Sequence, residues 1–259
     1  MRIGLITDLH YGDNTNYPKI GGEEYINSFG EYIKTHSEEI ASRLKNYDLI
    51  VNLGDLFADK NADLDRQTYK EALNFLKSIG KPIINVIGNH ELHNLDRSEL
   101  AQLIERQMTY YSLDFGGLHH VVLDAKRETR PDPYFITEEQ LAWLSNDLAT
   151  TPLKSLVYVH HPLDDQNLDN NYYFRDKEDE ALVKNRRDVR AILERSGKVL
   201  AVFSGHLHFY NAVEINNVKY ITVPSLTEND GSGKPLMQYI SVSPDNDGIS
   251  FAIEKIDIG

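Results

Sequence analysis

Five short clusters of carboxylate, amide and imidazole side chains punctuate this chain: Asp8-Leu9-His10, Gly54-Asp55, Gly88-Asn89-His90-Glu91, His160-His161-Pro162 and Gly205-His206-Leu207-His208. Each follows an apolar, β-prone run, at residues 3–7, 49–53, 83–87, 156–159 and 199–203 respectively. Each cluster is therefore expected at the C-terminal end of a strand, where the loops of an α/β sheet converge on one crevice. Asp, Asn and His are ligands of borderline divalent metals, and five clusters offer more donors than one ion takes. The chain has no cysteine, so disulfides and thiolate ligands are excluded and only N and O donors remain. The residues by themselves point to a two-metal hydrolase.

Between the clusters, apolar spacing supplies the helices. Phe29, Ile33, Ile40 and Leu44 fit one helical face, after a loop rich in Gly, Asn and Tyr. Tyr69, Leu73, Leu76 and Ile79 mark a second helix, stopped by Gly80 with Pro82 just beyond. This strand–helix alternation implies βαβ units with mostly parallel pairing. In the middle, runs at 111–115 and 118–123 flank Gly116-Gly117, a hairpin signal. Thr137 and Gln140 form a capping box for a helix carrying Leu141, Leu144 and Leu148. Val189, Ile192 and Leu193 give a further helix that ends at Gly197, and the tail reads as two hairpins, around Asn216-Asn217 and Asp247-Gly248. No repeat, low-complexity tract or linker interrupts the pattern, so residues 1–259 are expected to form a single domain.

Asp8 and His10 are two residues apart, and so are His206 and His208; in extended backbone each pair would point to one side and serve one ion. Asp55 has two carboxylate oxygens and can bridge two cations, which an imidazole cannot do. Adjacent side chains diverge, so Asn89 can face a metal while His90 faces elsewhere. Gly205 permits close backbone approach.

In this order, Asp-x-His, Gly-Asp, Gly-Asn-His-Glu, His-x-Pro and Gly-His-x-His resemble the signature of the calcineurin-like metallophosphoesterases, over residues 8–208. The resemblance implies a four-layer α-β-β-α sandwich of two mixed sheets, with the metal site at strand C-terminal ends. It implies Asp8, His10 and His208 on one ion, Asn89, His160 and His206 on the other, and Asp55 between them. His160 is selected over His161 because the family ligand lies two residues before proline. His90 matches the catalytic histidine that touches substrate, and Glu91 completes the match behind the metals. His36, His93, His119 and His120 are expected to be structural, with His93 the one at the edge of the site.

The function the resemblance implies is hydrolysis of a phosphodiester, a cyclic nucleotide or glycerophosphodiester, by metal-activated hydroxide. The cofactors are two divalent ions, with Mn, Fe and Zn foremost. A phosphomonoesterase, a nucleotide pyrophosphatase and a non-catalytic metal-bound scaffold are the alternatives. The segment 163–184 leaves the crevice after His160 and is expected to form a rim, with Tyr172 and Arg175 as substrate contacts and Asn185, at the start of the next helix, as a second rim element. The net charge of −13 argues against a nucleic-acid duplex as partner, although two cations would still admit a small phosphorylated substrate. No signal peptide or run of some eighteen apolar residues is visible, so no membrane association and a cytoplasmic location are expected.

Overall fold

The computed structural model describes residues 1–13, 15–20, 23–27, 29–129, 132–229, 235–244 and 248–258. Strand β1 (Ile3–Ile6) is followed by β2 (Thr15–Ile20) and β3 (Glu23–Asn27). The loop expected there is thus a two-stranded antiparallel ribbon. The single helix expected next is two, α1 (Phe29–Thr35) and α2 (Ser37–Leu44), broken at His36. The imidazole of His36 lies 2.9 Å from the Tyr32 carbonyl, which its own amide also uses, and this competition interrupts the helix. Ile33, Ile40 and Leu44 stay buried on both sides of the break.

There follow β4 (Leu49–Asn52), α3 (Ala62–Ser78), β5 (Ile83–Asn85), α4 (Glu91–Asn94) and α5 (Arg97–Leu103). The antiparallel pair β6 (Tyr111–Phe115) and β7 (Leu118–Val122) leads to α6 (Glu138–Thr150) and β8 (Ser155–Tyr158). Beyond these lie α7 (Glu178–Ala181), α8 (Arg186–Arg195), β9 (Val199–Ser204), β10 (Asn211–Ile215), β11 (Val218–Thr222), β12 (Gln238–Pro244) and β13 (Ile249–Lys255). Asn216 and Asn217 both take positive φ in the β10–β11 turn. Asp247 of the last expected turn falls outside the described residues.

One sheet has the order β13-β12-β1-β4-β5, with β1, β4 and β5 parallel. The other runs β10-β11-β9-β8-β7-β6, with β11, β9, β8 and β7 parallel and its two edge strands antiparallel. Strand alternation builds the layers. Ile3, Leu5 and Val51 of the first sheet meet Leu156, Tyr158 and Phe203 of the second in one buried cluster. The alternate residues Ile6 and Ile50 pack outward against Ile33, Ile40, Tyr69 and Leu76. Val121, Val157 and Val202 likewise pack against Leu144 and Leu148 of α6 and Val189 and Leu193 of α8. The result is the expected four-layer sandwich of two mixed sheets. Truncating Phe203 at its centre to Ala would cost about 3–5 kcal/mol. No helix among the described residues is long and apolar enough to cross a membrane.

The capping box is only half made. Thr137 caps Gln140 at 3.2 Å, but the Gln140 side chain turns away and bonds both backbone groups of Asp124 at 2.9 Å. Asp124 is buried, and its backbone N–H and C=O just past β7 find this partner where the sheet ladder ends.

Candidate metal centre

All five clusters stand where parallel strands end: three follow β1, β4 and β5, and two follow β8 and β9 of the facing sheet. Asp8, His10, Asp55, Asn89, His160, His206 and His208 are all buried. The backbone there is not extended, as the two-residue spacing suggested. Asp8, His10, His206 and His208 have φ of 50°, 45°, 68° and 65°, and Asp55 has 50°. Left-handed backbone at non-glycine residues costs roughly 1–3 kcal/mol each and persists only where the surroundings enforce it. Here the amides of Asp8, His10 and Tyr11 donate to the carbonyls of Gly54, Asp55 and Leu56 at 3.1, 3.1 and 2.9 Å, locking two loops together. Gly205 makes the close approach expected of it, since a Cβ there would lie 2.0 Å from Thr7 Oγ1 and 2.8 Å from Asp8 Oδ2.

The donor atoms fall into overlapping groups. Asp8, His10 and His208 form one, Asp55, His160 and His206 a second, and His10, Asp55 and His90 a third that links them. In each, the potential ligand atoms lie within 4.8 Å of one another. His160 Nε2 is 3.1 Å from Asp55 Oδ2 and 3.2 Å from Asn89 Oδ1. His208 Nε2 is 3.3 Å from both Asp8 Oδ1 and His10 Nε2.

The ring nitrogens facing outward fix the ones facing inward. His160 Nδ1 donates to the Leu53 carbonyl at 2.8 Å, His206 Nε2 to the Glu180 carbonyl at 3.0 Å, and His208 Nδ1 to Glu228 at 3.1 Å. Each bond leaves the other nitrogen of that ring for the cluster, the usual way proteins orient metal-binding imidazoles. Burial opposes charge on His160, yet Asp55 beside it raises its pKa to about 9. Burial is likewise overcome at His208, where Asp8 and Glu228 raise it to about 10. Burial and the neighbouring histidines instead hold His10 and His206 at about 3, uncharged with a free lone pair. Burial alone would raise Asp8 and Asp55, but His208 and His160 keep both carboxylates ionised.

This donor set fits divalent cations. The Nε2 protons of His160 and His208 each lie between an imidazole and a carboxylate, that of Asp55 and of Asp8 respectively, where a cation would take their place. Two imidazole nitrogens facing each other at 3.3 Å likewise require a proton or a cation between them.

A ring of side chains surrounds the cluster. Glu91 accepts the amides of Asp55, Leu56 and Gly88 at 3.1, 2.7 and 2.7 Å, tying the second loop to the third. Burial, with Asp55 nearby, pushes its pKa up to about 7. His90 donates its backbone amide to Asp55 Oδ1 at 2.9 Å, and its ring Nδ1 is hydrogen-bonded to Asp59. His93, the expected edge residue, meets the same carboxylate at 3.1 Å. His161 is buried, stacked 3.7 Å from the Tyr134 ring, and neither of its ring nitrogens is hydrogen-bonded among the described residues.

Two residues here were missed from sequence. Asp59 lies four residues after Asp55, and Glu228 lies between β11 and β12, in no motif.

The segment 163–184 packs onto the fifth cluster: Asn171 donates to the Leu207 carbonyl at 3.0 Å, and Phe174 lies 4.5 Å from the His206 ring. Tyr172 is half exposed at 49%. Arg175 is exposed and donates to Asp169 O at 2.7 Å within its own loop. Asn185 is not joined to the cluster; its amide holds Ile136 N and O at 2.9 and 2.8 Å.

The remaining histidines are built into the fold. His119 and His120 are adjacent on β7 and both are buried. His119 bridges Asp114 and Asp147 at 2.7 and 2.8 Å, and His120 bonds the Tyr158 hydroxyl at 2.9 Å.

Residues 1–210 match the family model of the calcineurin-like phosphoesterases, and the chain belongs to that family. It is a metal-dependent phosphoric ester hydrolase. A "probable cyclic nucleotide phosphodiesterase" of Fibrobacter succinogenes is 26% identical over 232 residues, 87% of this chain and 79% of the relative. A 3',5'-cyclic-nucleotide phosphodiesterase of Nostoc sp. is 24% identical over 225 residues, covering 86% of this chain and 77% of that one. A dimetal phosphatase from Danio rerio shares the fold, with a TM-score of 0.76, 17% identity and 99% of each chain covered.

Proposed function

We propose that this phosphoesterase holds two divalent ions, with Mn, Fe or Zn as candidates, and hydrolyses a small phosphodiester such as a cyclic nucleotide or a glycerophosphodiester. The observation that carries the two-ion reading is Asp55, whose carboxylate is grouped with His160 and His206 and also with His10. In this reading Asp8, His10 and His208 hold one ion, Asn89, His160 and His206 hold the other, and Asp55 bridges them. The diester preference is supported by the names of the 26% and 24% identical relatives. Residues 1–259 are taken as one domain, because the core between the sheets draws on β1 and β12 as well as β8 and β9.

When bound, two such ions lower the pKa of a water and neutralise phosphate charge. The chain's own groups supply the remainder. Glu228 and the carbonyls of Leu53 and Glu180 orient three imidazoles. His90, aligned by Asp59, offers Nε2 to protonate the leaving oxygen or steady the transferring group. Tyr172 and Arg175, both exposed, remain the substrate contacts of the rim. Asn185, already holding both polar groups of Ile136, is left out of it.

The test is hydrolysis by Mn-loaded protein of cyclic nucleotides and bis-p-nitrophenyl phosphate beside p-nitrophenyl phosphate. Diesters should be turned over with the higher kcat/KM. A consistent preference for the monoester would replace the diester reading with a phosphomonoesterase. Two bound ions with no hydrolysis of any ester would favour the scaffold.

A further inference from the structure

Glu228 uses its two carboxylate oxygens on different parts of the molecule. Oε2 meets Nδ1 of His208 at 3.1 Å. Oε1 accepts from the Tyr172 hydroxyl and from the amide of Asn229, the latter at 3.0 Å. Glu228 is 3% exposed, whereas Tyr172 stands at the surface with its ring edge-on to Phe209, 5.7 Å between centroids. The Tyr172 hydroxyl also meets that of Tyr173 at 3.0 Å, and the Tyr173 ring packs edge-on to His208. Tyr172 and Glu228 are 56 residues apart in sequence, so two distant segments meet on the outward side of one imidazole.

We propose that Glu228 and Tyr172 are positioning residues for His208, and that through them the segment 163–184 sets the affinity of one of the two metal sites. The inference rests on the assignment of His208 to a metal. The physical case is direct. A carboxylate accepting from Nδ1 fixes the tautomer and rotation of the ring and strengthens Nε2 as a donor. A carboxylate held at only one oxygen can swing; Tyr172 and the Asn229 amide hold the other oxygen and stop it. No other described hydrogen bond restrains the outer edge of His208. The loop residue therefore acts two side chains away from the ion.

The experiment is equilibrium dialysis against Mn²⁺, with metal content measured for wild type, His208→Ala, Glu228→Ala, Glu228→Gln and Tyr172→Phe. Wild type should bind two ions and His208→Ala should lose one. Glu228→Ala should weaken one ion by about 10–100-fold and leave the other near its wild-type affinity. Glu228→Gln, nearly isosteric, should fall between the two and guards against a folding defect in the alanine variant. Tyr172→Phe retains the ring and loses only the hydroxyl, so weakening of the same single ion assigns the effect to positioning and not to substrate stacking. If His208→Ala loses an ion while the Glu228 and Tyr172 variants bind both as wild type does, the proposal fails and the metal assignment stands. Equal weakening of both ions would also overturn it, as the mark of a general structural role. If His208→Ala keeps both ions, the assignment itself falls and the proposal with it.

Discussion

His90 and His93 share one carboxylate: Oδ1 of Asp59 is hydrogen-bonded to Nδ1 of His90 and lies 3.1 Å from Nδ1 of His93. Burial would raise the Asp59 pKa, but the two imidazoles hold it below the ordinary carboxylate range. Burial would lower that of His90, yet Asp55 and Asp59 raise it. These carboxylates favour the protonated form of His90 and orient it at the edge of the cluster, where it is partly exposed.

His90→Ala should keep both ions and lose roughly 10²–10⁴-fold in kcat, the usual worth of a positioned acid–base group. Asp59→Asn should also keep both ions, with a smaller loss of roughly tenfold or more, because the ring stays but is no longer aligned. Elemental analysis beside steady-state kinetics checks both. Loss of an ion from His90→Ala would make His90 a ligand, which its membership of the His10, Asp55 and His90 group allows geometrically.

Gly88 is constrained by Asp55. A Cβ at this position would sit 2.2 Å from Asp55 Oδ1 and 2.4 Å from its backbone nitrogen. Gly88→Ala must therefore displace the carboxylate, and overpacking of this kind costs about 1–3 kcal/mol. Thermal unfolding should show a lower Tm, and dialysis should show weakened binding of both ions. Gly248→Ala is the control, since a Cβ there meets nothing within 4 Å among the described residues, and it should behave as wild type.

His119 gives a pH dependence independent of the metals. Burial lowers its pKa, but Asp147 and Asp114, hydrogen-bonded to its two nitrogens, prevail and raise it above 6.5. The folded state then binds the proton more tightly than the unfolded state. The stabilisation is complete below pH 6.5 and is lost as the pH rises through the elevated folded value. The difference in urea midpoint between wild type and His119→Gln should shrink across that window. NMR titration of the ring should give a pKa above 6.5 that falls in Asp147→Asn. A His119 titrating at or below 6.5 in wild type would contradict this.

The sequence made the sheet ends and their donors legible because each cluster terminates an apolar run, and strand ends in parallel sheets converge. The hairpin at Gly116-Gly117 and the stop at Gly80 were legible through turn chemistry alone. The left-handed backbone at Asp8, His10, Asp55, His206 and His208 was not, because it is imposed by hydrogen bonds between loops far apart in the chain. Asp59 and Glu228 were invisible for a related reason. Among 40 acidic residues, nothing local distinguishes a carboxylate that will face an imidazole from one that will face water. In sequence Asn185 reads as a rim contact and Gln140 as a cap group, and only tertiary structure reveals their partners at Ile136 and Asp124.

Asp55 carries the central claim, since it alone is assigned to both ions. The decisive measurement is the metal content of wild type and Asp55→Ala after equilibration with Mn²⁺ and removal of free ion. Two ions per chain in wild type, with both weakened and hydrolysis lost in Asp55→Ala, is the predicted result. A single ion in wild type, or two tightly held ions with full turnover in Asp55→Ala, would contradict the shared carboxylate and the dinuclear centre built on it.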